Sequence, residues 1–89
     1  MPTISFFFGI VIRMYHDEHP PPHFHAIYQG FEALVRIADG EIIEGKLPRK
    51  AARIVRQWAL DHHDELMANW EHGENLEPME MIPGADVDD

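Results

Sequence analysis

Cysteine is absent from the 89 residues. That removes disulfides, thiolate zinc sites and thiol nucleophiles together. Cations are scarce: seven Lys and Arg stand against sixteen Asp and Glu, for a formal charge of −9. A balance of that sign argues against general nucleic-acid binding. Long apolar runs are also missing, and none reaches the length of a membrane-spanning helix. The beginning, Met1-Pro2-Thr3-Ile4-Ser5, has neither a basic stretch nor a small-residue cleavage site. A signal peptide is therefore not expected, and a cytoplasmic location is. A chain this short has room for one core and leaves much surface exposed, so self-association is a natural way to bury more.

The charge that is present is unevenly spread. Residues 71–89 hold seven acids and no Lys or Arg, and removing them takes the formal charge from −9 to −2. Between Lys46 and Arg56 lie five cations (Lys46, Arg49, Lys50, Arg53, Arg56) and no acid. The chain reads as one domain over residues 1–73 followed by an acidic, loosely ordered tail over 74–89.

Periodicity predicts an α+β fold. Ile4, Phe6, Phe8, Ile10, Ile12 and Met14 share one face of a single long strand over residues 3–15, with Gly9 as a candidate bulge. The three prolines Pro20-Pro21-Pro22 make a stiff extended connection. A second strand is expected over His23 to Tyr28, and Gln29-Gly30 forms a turn. A third runs from Glu32 to Ala38 with Ala33, Val35 and Ile37 on one face. Asp39-Gly40 then signals a hairpin into a fourth strand, Glu41 to Lys46. Pro48 suits the first turn of a helix. Ala51, Ile54, Val55, Trp58, Ala59, His62, Leu66 and Trp70 keep helical spacing to about Glu71, although Asp61-His62-His63-Asp64 is a point where that helix can break. The expected architecture is a four-stranded antiparallel meander with one long C-terminal helix packed on one face. Phe6, Phe7, Phe8, Trp58 and Trp70 are expected in its core.

Histidines carry the sharpest chemical pattern. His23 and His25 are two apart in a strand, so they point to the same side with Phe24 on the other. Paired neutral imidazoles suit zinc, copper or nickel. A third ligand could come from His19 or His16 on the proline-rich approach, from Glu32 on the neighbouring strand, or from His62 on the helix. Three ligands and an open position would let the ion activate water. A metal-free alternative uses the same pair, near Lys46 or Arg13, as general base and acid in RNA cleavage. A third reading is structural, with the ring nitrogens satisfying carbonyls that the prolines leave unpaired. His63 and His72 read as solvent-facing.

Lys46, Arg49, Lys50 and Arg53 form a candidate anion-binding patch at the start of the helix. This is the end at which the helix dipole disfavours cations. A bound phosphate, the acids of the tail, an acidic partner, or plain solvation balanced by local glutamates would each account for them. Any nucleic-acid contact would have to use this patch.

Several pieces together resemble a family of short bacterial proteins known only as a domain of unknown function. They are Pro2-Thr3-Ile4, Phe8-Gly9-Ile10, Ile12-Arg13-Met14-Tyr15, His19-Pro20-Pro21-Pro22-His23-Phe24-His25, Gly45-Lys46-Leu47-Pro48, Trp58, His62, Glu65-Leu66 and Asn69-Trp70. The proline-flanked histidine piece is the specific one. His16 and the acidic tail lie outside the pattern. The resemblance implies a gene beside that of another small uncharacterised protein, in a toxin–antitoxin-like arrangement, and no established activity. The function expected on that basis is an interaction protein of a two-gene module. A metal-binding protein or small hydrolase built on His23 and His25 is the alternative.

Overall fold

A computed structural model describes residues 3–86. Pro2 of the first motif and Asp88 and Asp89 of the tail lie outside that range. Five strands form one antiparallel sheet: β1 (Thr3–Phe7), β2 (Ile10–Arg13), β3 (His23–Tyr28), β4 (Phe31–Arg36) and β5 (Ile42–Gly45). Their order is β1-β2-β3-β4-β5, the simple meander expected. Two helices follow, α1 (Arg49–Asp61) and α2 (His63–Glu74).

The count of five corrects the expectation of four. The apolar stretch 3–15 is a hairpin rather than one strand. Phe7 pairs with Ile10 across Phe8 and Gly9, whose φ values are +50° and +78°. Positive φ at both central residues is the two-residue turn that matches strand twist, so Gly9 closes a hairpin instead of marking a bulge. An irregularity in the β1–β2 register falls between Thr3 and Ser5 instead. The simple alternation is lost there: Phe7 is fully buried, while Phe6 and Phe8 are 61% and 56% exposed. These two phenylalanines are thus not core residues, contrary to expectation. Trp58 and Trp70 are.

A core forms between one sheet face and the helices. Ile10, Ile12, Phe24, Ala26, Ala33, Val35 and Ile37 meet Ala51, Val55, Trp58, Ala59 and Leu66. The Trp58 ring lies 5.0 Å from Phe7 and 5.6 Å from Phe24 between centroids. The single long helix is interrupted at His62 (φ −115°, ψ 28°). Asp, His and Asn-type residues are weak helix formers, and Asp64 and Glu65 in the first turn of α2 favour a new start through the helix dipole. The His62 ring stays against Trp58 and its Nδ1 pairs with Glu65. Between β4 and β5, Arg36 and Asp39 form two hydrogen bonds of 3.1 and 2.7 Å. The Arg36 guanidinium holds the Asp39 carboxyl below its ordinary range.

Residues after α2 turn back over the domain as far as they are described. Ile82 is buried. Its N–H donates to the Ile4 carbonyl, and the Ser5 hydroxyl donates to the Ile82 carbonyl. The Asn69 amide donates to and accepts from the backbone of Glu80. Trp58 Nε1 donates to Pro83. The segment therefore lies along β1 at the sheet edge. Among the described residues no helix is long and apolar enough to cross a membrane.

Candidate metal centre

The connection from β2 to β3 carries the proline run, and its two ends are fixed. Asp17 N–H donates to the Gly73 carbonyl at the end of α2, and His16 Nε2 donates to the Glu77 carbonyl. At the other end Ile37 N–H donates to Pro22. Gly73 makes the first anchor possible. A Cβ there would stand 3.3 Å from the Tyr15 carbonyl oxygen and 2.6 Å from the Met79 methyl. Gly73 is thus a packing position inside α2, which continues to Glu74. Held in this way, the loop delivers Glu18 to the sheet face that bears His23 and His25.

Strand alternation places His23 and His25 opposite the core residues Phe24 and Ala26. Glu18 sits between the two rings. Its Oε1 lies 2.9 Å from His25 Nε2, and its Oε2 lies 3.3 Å from His23 Nε2. The three residues offer ligand atoms that all fall within 4.8 Å of one another. His23 is 5% exposed, with Trp70 of α2 beside its ring at 5.3 Å between centroids. Tyr15 meets the His25 ring edge-on at 4.6 Å.

Tautomers follow from the outer nitrogens. His23 Nδ1 lies 2.8 Å from the Pro21 carbonyl, which can only accept, so this nitrogen carries the proton. In its neutral form His23 then turns the Nε2 lone pair toward the Glu18 carboxylate, an acceptor facing an acceptor. The 3.3 Å approach is an ion-pair distance, yet its direction makes no hydrogen bond, and Nε2 is buried without a hydrogen-bond partner. His25 differs: its Nδ1 lies 3.4 Å from Glu32 Oε2, and its Nε2 makes a 2.9 Å hydrogen bond with Glu18 Oε1. Both outer contacts are the kind that hold metal-ligating imidazoles in place. Two imidazoles and a carboxylate suit a divalent transition ion, and both ε-nitrogens converge on the same carboxylate.

A hollow of about 230 Å³ opens beside the cluster, lined by Glu18, His19, Pro20, Pro21, His23, Leu34, Ile43 and Glu44. His19 is at its exposed rim. The other candidate ligands lie elsewhere: His16 is engaged with Glu77, and His62 with Trp58 and Glu65. Glu32 touches His25 from outside the convergent group. Glu18 was not singled out by sequence reasoning. The available signal was its place in His16-Asp17-Glu18-His19, just before the proline run, where a short stiff tether can return a side chain to the strand it precedes.

Lys46, Arg49, Lys50 and Arg53 are exposed, and none forms an ion pair among the described residues. Pro48 caps α1 without a side-chain hydrogen bond. The described part of the acidic tail bonds to Ile4, Ser5, Trp58, Asn69 and His16, and not to these four. Lys50 borders a separate apolar hollow of about 470 Å³ formed by Phe8, Ile10, Tyr28, Pro48, Ala51 and Ile54.

A family model described as a domain of unknown function, DUF4160, matches residues 9–71. No curated protein and no solved structure matches the chain. The matched span begins at the β1–β2 turn and ends within α2, so it contains Glu18, His23, His25 and Glu32. The match covers most of the chain, which therefore belongs to the DUF4160 family.

Proposed function

We propose that this protein binds a divalent transition metal through Glu18, His23 and His25. One observation carries the reading: the His23 ring, its Nδ1 committed to Pro21, faces the Glu18 carboxylate with a buried, unpartnered Nε2. Two acceptors held face to face repel unless a cation, a proton or a metal ion, lies between them, and leaving a buried group unsatisfied costs about 1–3 kcal/mol. Zinc fits two imidazoles and a carboxylate with a fourth position open. Ferrous iron, copper and nickel accept related donor sets. When bound, such an ion would supply Lewis acidity and an activated water, which makes hydrolysis the reaction class to test. The chain's own part is to orient the imidazoles through Pro21 and Glu32 and to shape the hollow with Leu34 and Ile43.

Elemental analysis of untagged protein tests this. About one equivalent of metal is expected in the wild type, with loss in Glu18→Gln and in His23→Ala/His25→Ala. Metal-free protein whose stability is unchanged by added zinc, iron, copper or nickel would overturn the reading.

A second reading is favoured by Phe6 and Phe8. Large exposed aromatics at and beside a hairpin turn are unusual on a free surface and common where partners dock. In that reading the chain is an interaction protein, one half of a toxin–antitoxin-like module, and its partner is the small protein of a neighbouring gene. Co-expression should then yield a stable complex that Phe6→Ser/Phe8→Ser weakens. Separate elution of the two proteins would count against it.

A further inference from the structure

We propose that Arg13 forms an oxyanion-binding subsite beside the Glu18–His23–His25 centre, for a ligand bearing a phosphate or carboxylate group. The proposal rests on the metal reading above. Among the described residues two buried side-chain nitrogens lack a hydrogen-bond partner, Arg13 Nε and His23 Nε2. Both belong to neighbours of His25. Arg13 is its register partner on β2, and His23 lies two residues before it on β3. Directly opposed residues on antiparallel strands hold their side chains on one face about 5 Å apart at Cβ. The two unsatisfied side-chain nitrogens among the described residues therefore both belong to neighbours of one histidine.

Arg36 provides the contrast. It is the register partner of His23 on the other side of β3, and its guanidinium is occupied by Asp39 through two hydrogen bonds. Arg13 has no such carboxylate among the described residues. Glu18 and Glu32 are both turned to His25 instead. A planar guanidinium is suited to an oxyanion because its donors match two oxygens at once.

Charge points the same way. Glu18 and Glu32 each bring one negative charge, Arg13 one positive, and a divalent ion two. The loaded site is thus formally positive by one, whereas the metal-free site is negative by one. An anion is favoured only after the ion is in place, which makes its binding conditional on metal.

Titration of cobalt-loaded protein with inorganic phosphate and, separately, acetate tests the subsite. The visible spectrum of the cobalt reports an anion arriving beside it. Wild type is expected to show a saturable spectral change. Arg13→Gln should retain one equivalent of cobalt and the wild-type far-ultraviolet circular dichroism, while its anion affinity falls about tenfold or more. Arg13→Lys, which keeps the charge without the fork, should fall between. A stronger response to phosphate than to acetate, or the reverse, identifies the headgroup. Equal anion affinity in wild type and Arg13→Gln would overturn the subsite and leave the metal centre standing. Failure of the wild type to take up cobalt would overturn both.

Discussion

At the scale of residues, the proposed centre depends on atoms that would not touch the ion. The Pro21 carbonyl holds one imidazole and the Glu32 carboxylate the other. Glu32 is the more informative to alter, because its side chain is exposed and its loss leaves the core intact. Glu32→Gln should keep the metal stoichiometry and lower affinity about 10- to 100-fold, as outer contacts to ligating histidines do. Competition against a chromophoric chelator measures this. Glu18→Gln differs in kind, since it removes a ligand and should lower the stoichiometry itself. His25 has the looser outer contact, at 3.4 Å, so its orientation should respond to Glu32 more than that of His23 does.

Elements owe their geometry to a few backbone positions. Gly45 ends β5 with φ +74°, and a Cβ there would stand 2.2 Å from the Glu32 carbonyl oxygen. Gly30, in the β3–β4 turn, has φ +85° and open space around it. The two glycines share a backbone conformation and differ in surroundings. Gly30→Ala should cost about 1 kcal/mol, the penalty of a left-handed conformation alone. Gly45→Ala should cost about 3 kcal/mol or more, because the strands must also separate. Urea denaturation of both variants checks the difference. Since Glu32 is on the displaced strand, Gly45→Ala should also weaken metal binding.

Over the whole molecule, the segment after α2 closes the fold. Ile82 is buried, its backbone bonds to β1, and its neighbour Glu80 is held by Asn69 on α2. Sheet edge and second helix are thereby joined by residues rich in acid and proline. Ile82→Ala should destabilise the domain by about 2–4 kcal/mol, a large share of the margin available to a chain this size. Thermal and urea unfolding would show it. α2 is also what anchors the β2–β3 loop at Gly73, so the same variant should reduce metal affinity, whereas Phe6→Ser/Phe8→Ser should change neither.

Local chemistry determined much of this protein. Period-two patterning in β3 and β4, the Gln29-Gly30 turn, Pro48 before α1 and the same-side placement of His23 and His25 depend only on neighbours in the chain. They were legible for that reason. The β1–β2 hairpin was hidden because Phe8-Gly9 interrupts an apolar run without polar punctuation, and the register irregularity near Thr3 buries Phe7 in place of Phe6 and Phe8. The break at His62 was readable as a possibility, since it rests on weak helix formers. Tertiary structure alone decided the rest. Glu18 reaches the histidines because α2 and Ile37, just past β4, hold opposite ends of a proline-rich loop, and Arg13 joins them because β2 pairs with β3 in one particular register. Those relations depend on distances between segments, which one-dimensional periodicity does not carry. The centre is therefore a property of the fold, although every donor in it is written in residues 13–32.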